Sequence, residues 1–197
     1  MKKPYVVGIA GGSASGKSTF CDQLEAALRE HKLLIFHMDY YFKPKDKRPF
    51  VKSPINENMY IDDNHPETLD LPKLRQDLQS AINDAKVDII IIEGLLVLAD
   101  DEICNQLDLK LFMECRQDER IVRRLRRNMA KGLTFDEISN VYLDMVRFRH
   151  DEYVEPSKWK ADIIVNGSAS TEKALEIITY AIKTFGKNDK SHHGGQK

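Results

Sequence analysis

The stretch Gly11-Gly12-Ser13-Ala14-Ser15-Gly16-Lys17-Ser18 has the spacing glycine, four residues, glycine-lysine-serine, and it follows an apolar run, Tyr5 to Ala10, that reads as a strand. Glycines accept positive φ and let the backbone come close, so a row of N–H groups in such a turn can wrap phosphate oxygens. The helix that follows aims its positive dipole end at the same point. In that chemistry Gly11–Thr19 binds the phosphates of a nucleoside triphosphate, Lys17 reaches the β- and γ-phosphates, and Ser18 holds Mg2+. The strand before and the amphipathic pattern after (Phe20, Leu24, Ala27, Leu28) supply the required context. A dinucleotide fingerprint does not fit, because glycines at 8, 11, 12 and 16 do not give Gly-x-Gly-x-x-Gly.

Two acids stand where other apolar runs end. Asp39 lies in His37-Met38-Asp39-Tyr40-Tyr41-Phe42, twenty-two residues after Lys17. A carboxylate there can accept the proton of an attacking hydroxyl, orient that hydroxyl, or help hold magnesium; the competing reading is a capping aspartate. Glu93 closes Ile89-Ile90-Ile91-Ile92-Glu93-Gly94. Apolar neighbours make an unpaired carboxylate costly, so a cation is expected beside it: magnesium, or in the plainer reading a lysine or arginine.

Arg120, Arg123, Arg124, Arg126, Arg127 and Lys131 are six cations in twelve residues with no acid among them. Ile121, Val122, Leu125 and Met129 form an apolar stripe at helical spacing, while Arg124, Arg127 and Lys131 line another face. The expectation is that the apolar face docks and the basic face is free, either solvated or, as a lid, closing on phosphate.

The elements that must position these groups alternate between short apolar runs and amphipathic segments, the outline of an α/β protein with a mostly parallel sheet. Strands are expected at Tyr5–Ala10, Leu33–Met38, Asp88–Ile92, Leu109–Glu114 and Asp162–Val165. Helices are expected at Lys17–Glu30, Pro66–Asp84, Asp118–Lys131, Thr134–Tyr153 and Ser170–Phe185. Ligands bind outside the carboxyl ends of such strands, so Gly11–Ser18, Asp39 and Glu93 should converge. One domain is expected over residues 1–186, with a lid at about 118–135 and a long loop, 43–64, over the acceptor; 187–197 reads as a disordered tail. In and near that loop, Tyr41, Phe42 and Tyr60 could stack on a flat ring, and Asp63 or Asn64 could accept hydroxyl protons. Arg147 and His150 could touch acceptor or phosphate; local packing and helix-surface ion pairs are the alternatives.

A net charge of −1 argues against a dedicated nucleic-acid binder. Three cysteines without metal-type spacing argue against a disulfide framework, and the longest apolar region, Val87 to Ala99, is too short and too charged to span a bilayer. A cytoplasmic protein with a small-molecule partner and no membrane is expected, and a homo-oligomer is left open.

The combination resembles the uridine kinase and phosphoribulokinase-like family of phosphate-loop kinases. Beyond the phosphate loop, the similar pieces are Met38-Asp39-Tyr40-Tyr41-Phe42, Asn64-His65-Pro66-Glu67-Thr68-Leu69-Asp70, Ile92-Glu93-Gly94-Leu95-Leu96, Arg123-Arg124-Leu125-Arg126-Arg127-Asn128, the run from Val146 to Lys158, and Ala161-Asp162-Ile163-Ile164-Val165. The resemblance implies a doubly wound five-stranded parallel sheet, ATP as phosphoryl donor and a small hydroxylated acceptor, often a nucleoside. It implies that Asp39 is the catalytic aspartate, that Ser18 and Glu93 belong to the magnesium site, and that Arg124, Arg127 and Lys131 form the lid. On the acceptor side the chain departs from uridine kinases. The interval Leu69 to Val87 has no room for their pyrimidine-reading hairpin, Asn64 stands where they place an aspartate, and Val141 where they commonly have glutamine. A riboside vitamin precursor or a sugar is therefore the alternative acceptor. A nucleotide-switched regulator fits less well, since no Asn-Lys-x-Asp guanine reader occurs, and an RNA-binding module using the arginine helix fits least.

Overall fold

The computed structural model describes residues 2–186. The expected disorder of 187–197 lies outside the described residues. Five parallel strands form the sheet: β1 (Tyr5–Gly11), β2 (Leu33–His37), β5 (Ile89–Glu93), β6 (Leu109–Glu114) and β7 (Ile163–Asn166), in the order β2-β5-β1-β6-β7. All four pairings are parallel.

The central strands are apolar on both sides because both sides are covered. Val6, Ala10, Ile90 and Ile92 face one core, shared with Leu74, Leu78 and Ile82 of α2 (Leu71–Asp84) and with Ile103 of α3 (Asp101–Cys104). Val7, Ile9, Ile89 and Ile91 face the other. There they meet Phe20 and Leu24 of α1 (Lys17–Ala27) and, near the chain end, Ile178 and Ile182 of α6 (Glu172–Phe185). Period-two alternation in the strands and steps of three and four in the helices thus build two layers from one sequence pattern.

Three expectations change. The segment Pro66–Asp84 is not one helix but a 3-10 turn, Pro66–Thr68, followed by α2. Leu69 between them is extended and bridges Phe42, and Asp70 then caps α2 by accepting the Lys73 N–H. Thr134–Tyr153 begins as α5 (Phe135–Val141), with a Thr134/Glu137 capping box. It then widens into π turns at Tyr142–Val146 and His150–Val154, before a 3-10 segment, Glu155–Lys160. The loop 43–64 contains an antiparallel hairpin, β3 (Phe50–Lys52) with β4 (Met59–Ile61), pairing Phe50 with Ile61 and Lys52 with Met59. Strands of three largely uncovered residues carry no apolar alternation, so nothing in the sequence announced them. The turn is closed by polar side chains instead: Ser53 Oγ accepts from the Ile55 N–H and Asn56 Oδ1 from the Asn58 N–H.

Candidate active site

At the carboxyl end of β1 the chain turns through Ala14 at φ 64° and Gly16 at φ 102° before entering α1. Alanine is rarely left-handed, so this turn is held by its surroundings. Lys17, the first residue of α1, folds back to donate to the Gly12 carbonyl at 3.2 Å. Burial lowers its pKa, against the opposing pull of Glu93 and Asp39.

Glu93 is the last residue of β5 and only 5% exposed. Its register partners are Ile9 on one side and His37 on the other, which brings three strand ends together. One oxygen lies 2.9 Å from His37 Nδ1; the other accepts from Ser18 Oγ at 3.4 Å. The next residue must be small: a Cβ on Gly94 would stand 2.3 Å from the Cβ of Met38. Close packing of Gly94 on Met38 brings Asp39, on the 3-10 turn Met38–Tyr41, to the same opening.

The sixth strand leads into α4 (Gln117–Met129), which crosses above the loop. Arg124 donates to Ser13 Oγ at 3.2 Å and Arg127 to the same oxygen at 3.3 Å. Burial lowers the Arg124 pKa and the neighbouring Arg127 lowers it further, against the weaker pull of Asp63, which forms no ion pair with it. The result is a polar cavity of about 170 Å3 lined by Ser13, Ala14, Lys17, Ser18, Asp39, Phe42, Asp63, Asn64, Glu93, Gly94, Leu95, Arg124 and Arg127. Larger cavities, of about 420 and 380 Å3, open at the other end of the sheet among Lys2, Lys3, Lys32, Lys86 and Lys183. Those lysines lie where α1, α2 and α6 end, and cations are the usual complement of helix carboxyl ends.

Several expected residues stand elsewhere. Tyr41 gives its hydroxyl to Asp77 of α2 at 2.9 Å and packs on the core. Tyr60 donates to Asp144 at 2.5 Å. Arg147 lies over the Phe148 ring, 4.7 Å from its centroid, and His150 is buried against Arg120. Lys131 and Thr19 are exposed and do not line the cavity. Phe42 does line it, but the Arg48 guanidinium covers its ring at 4.6 Å and also binds Asp63 at 2.8 Å. The stripe on α4 docks only in part. Ile121 packs against Tyr142, Met145 and Val146 and Leu125 is half-buried, but Val122 and Met129 are 45% and 49% exposed, and the residue of α4 that the fold buries fully is Arg120.

Sequence reasoning applied the strand-end rule to β1, β2 and β5 and stopped there. Carried on to β6 and β7 it finds Glu114, Cys115, Arg116, Glu119, Asn166 and Ser168, which line a cavity of about 470 Å3. Gly167 in that rim is close enough to the loop that a Cβ would meet the Ser15 carbonyl at 2.3 Å.

Comparison with known proteins agrees with this arrangement. Residues 55–173 match the description of the Phosphoribulokinase / Uridine kinase family. A uridine kinase of Bacillus thuringiensis (strain Al Hakam) is 32% identical over 206 residues, covering 93% of this chain and 95% of its own. A possible uridine kinase of Bacillus stearothermophilus superposes with a TM-score of 0.55 at 21% identity, over 83% of this chain and 89% of that one. TT1252 of Thermus thermophilus does so with 0.59 at 16%, over 93% and 98%. At these identities the two structures speak for the fold alone. Fold, site and sequence together make this chain a P-loop kinase that belongs to the phosphoribulokinase and uridine kinase family.

Proposed function

We propose that the enzyme transfers the γ-phosphoryl group of ATP to a hydroxyl of a nucleoside-like acceptor, with uridine and cytidine as first candidates, and that it works in the cytoplasm. The observation that carries the reading is the meeting of Lys17, Arg124 and Arg127 with Asp39, Asp63 and Asn64 around one cavity. The uridine kinase relatives support the same reading.

Phosphoryl transfer asks a protein for positioning and charge rather than covalent chemistry. The loop Gly11–Thr19 holds the phosphates, Lys17 balances charge on the transferring group, and Arg124 and Arg127 close over it and exclude water. Asp39 accepts the acceptor's proton or aligns its hydroxyl. Asp63, paired with Arg48, and Asn64 line the same cavity and are the candidates to hold the acceptor's other hydroxyls. The cavity beyond Gly167 takes the nucleoside end of the donor. Ser18 Oγ and the Glu93 carboxylate are hard oxygen donors that fit Mg2+. Among the described residues no group of three or more His, Cys, Asp and Glu side chains forms a metal site of its own, so phosphate oxygens and water would complete the shell. When bound, the ion neutralises phosphate charge.

One observation favours a second acceptor class. Between His65-Pro66 and Glu93 there is only a turn and α2, while the hairpin β3–β4 stands before that motif. A riboside vitamin precursor or a sugar is the second reading. A screen of nucleosides, riboside vitamins and sugars with ATP and magnesium, scored by ADP release, separates the two. Fastest turnover of uridine or cytidine supports the first reading; a vitamin riboside or sugar supports the second. No ADP release above background with any acceptor would overturn both.

A further inference from the structure

Arg120, in the first turns of α4, is 5% exposed. Its Nε donates to the Cys115 carbonyl at 3.1 Å, and its Nη1 lies 3.3 Å from His150 Nδ1. Among the described residues no carboxylate comes within the 4.0 Å of an ion pair with it. Three partly covered arginines away from the phosphate loop do have acids: Arg75 has Asp100 at 2.5 Å, Arg149 has Asp62 at 2.6 Å, and Arg48 has Asp63 at 2.8 Å. Glu155, the acid that reaches the Arg120 cluster, meets His150 Nε2 at 3.5 Å instead. A guanidinium keeps its proton, so burying one beside neutral partners is costly unless an anion completes the site.

The guanidinium is packed on the phosphate loop itself. A Cβ on Gly12 would stand 2.1 Å from Arg120 Nη1 and 2.8 Å from its Cζ, and 3.1 Å from His150 Cε1. Gly12 is therefore glycine for the arginine as well as for the ligand. The Arg120 charge is near enough to add to the effect of burial in lowering the Lys17 pKa.

Resting on the nucleotide reading above, we propose that Arg120 is a positioning residue for phosphate binding: it fixes Gly12 and supplies a standing positive charge whose counter-ion is the nucleotide's polyphosphate. His150 is its brace rather than a contact for the acceptor. Because Nδ1 accepts from Arg120, the imidazole proton sits on Nε2, facing Glu155. Burial, and then the Arg120 charge, hold the His150 pKa below its usual range and keep the ring neutral for this bond. Glu155 pairs in turn with Lys158, which also reaches Glu114 at the end of β6, at 3.1 Å. The support under Gly12 thus runs through side chains back to the sheet.

The test is a ladder of affinities for adenosine, AMP, ADP and ATP, measured by calorimetry on the full chain without acceptor. Arg120→Met should weaken ADP and ATP by about tenfold or more while moving adenosine by less than about twofold, since the charge acts through distance on each added phosphate. His150→Met should repeat the graded pattern more weakly, and His150→Gln, whose amide oxygen can accept the same bond, should restore it. An equal loss on every rung, or no loss, would overturn the proposal, because a merely structural role does not count phosphates. Should Arg120→Met fail to fold, the His150 pair decides by the same criterion. Failure of the nucleotide reading looks different: the parent itself would gain nothing from adenosine to ATP, and this inference would go with it.

Discussion

The Tyr60 hydroxyl donates to the Asp144 carboxylate at 2.5 Å, tying β4 to the π turn that follows the lid. Asn56 donates to the same carboxylate at 2.8 Å, and Ser53 Oγ donates to the Asp144 carbonyl at 3.0 Å. Bonds from Asn56 and Tyr60 hold the Asp144 pKa below the usual carboxylate range, so the clasp is charged at neutral pH. Hairpin and π turn are joined, so on the proposed reading, in which α4 closes over the phosphates and residues 43–64 cover the acceptor, the two should move together. Tyr60→Phe and Asp144→Asn are expected to raise the acceptor KM by about threefold to tenfold, the scale of one hydrogen bond to a charge, with the ATP KM unchanged. Steady-state kinetics with each substrate varied in turn checks this; equal movement of both KM values would refute it.

Asp39 is exposed at the mouth of the cavity, and among the described residues it carries no partner that would make it a simple cap; the 3-10 turn it sits in has no side-chain cap. Asp39→Asn keeps shape and removes the proton acceptor. Turnover should fall by about a hundredfold or more, the ordinary contribution of a general base, while ATP affinity is retained. A turnover within a few-fold of the parent would leave Asp39 without that role.

Arg124 and Arg127 share Ser13 Oγ, and the two charges oppose each other there. Without an anion that closed position is disfavoured; with triphosphate it is favoured. Trypsin cleavage within residues 118–135 should therefore slow markedly on adding ATP and hardly at all on adding adenosine. Arg124→Met and Arg127→Met should each cut turnover by about a hundredfold, the scale of losing one charge-stabilising donor. Equal protection by adenosine would mean that the phosphates do not set the lid.

The sheet was legible because its signals are local and repeated. Ile89–Ile92 cannot be other than a covered strand, and the glycine spacing at 11–16 places a turn and a helix start in one stroke. Asp39 and Glu93 were found because a strand-end rule names positions without needing contacts. Arg120 was read only as one cation of the basic run and His150 as a contact for acceptor or phosphate; their pairing was not legible, because what marks it is burial without an acid, and a sequence shows charges but not which of them are covered. The hairpin at 50–61 was missed for the complementary reason. What holds it is distant in sequence: Ser53 and Asn56 bond to Asp144, and Val51 and Tyr60 pack on Tyr142, Met145 and Val146.

Tyr41 was expected to stack on the acceptor, and its geometry gives a sharper test of packing against recognition. Burial and then the bond to Asp77 raise its pKa to about 12. The unfolded phenol titrates near 10, so the fold favours the protonated ring, and the stabilisation is complete below about pH 10 and is lost as pH rises toward the folded value. Tyr41→Phe should cost about 1 kcal/mol at neutral pH, the net value of one such bond. The gap to the parent should stay constant up to about pH 9 and close through the window above about pH 10, because only the parent has a phenol to lose. Urea unfolding across that range, with parallel acceptor kinetics, decides the matter. A packing role leaves the acceptor KM alone; a rise in that KM with no change in stability would return Tyr41 to the substrate.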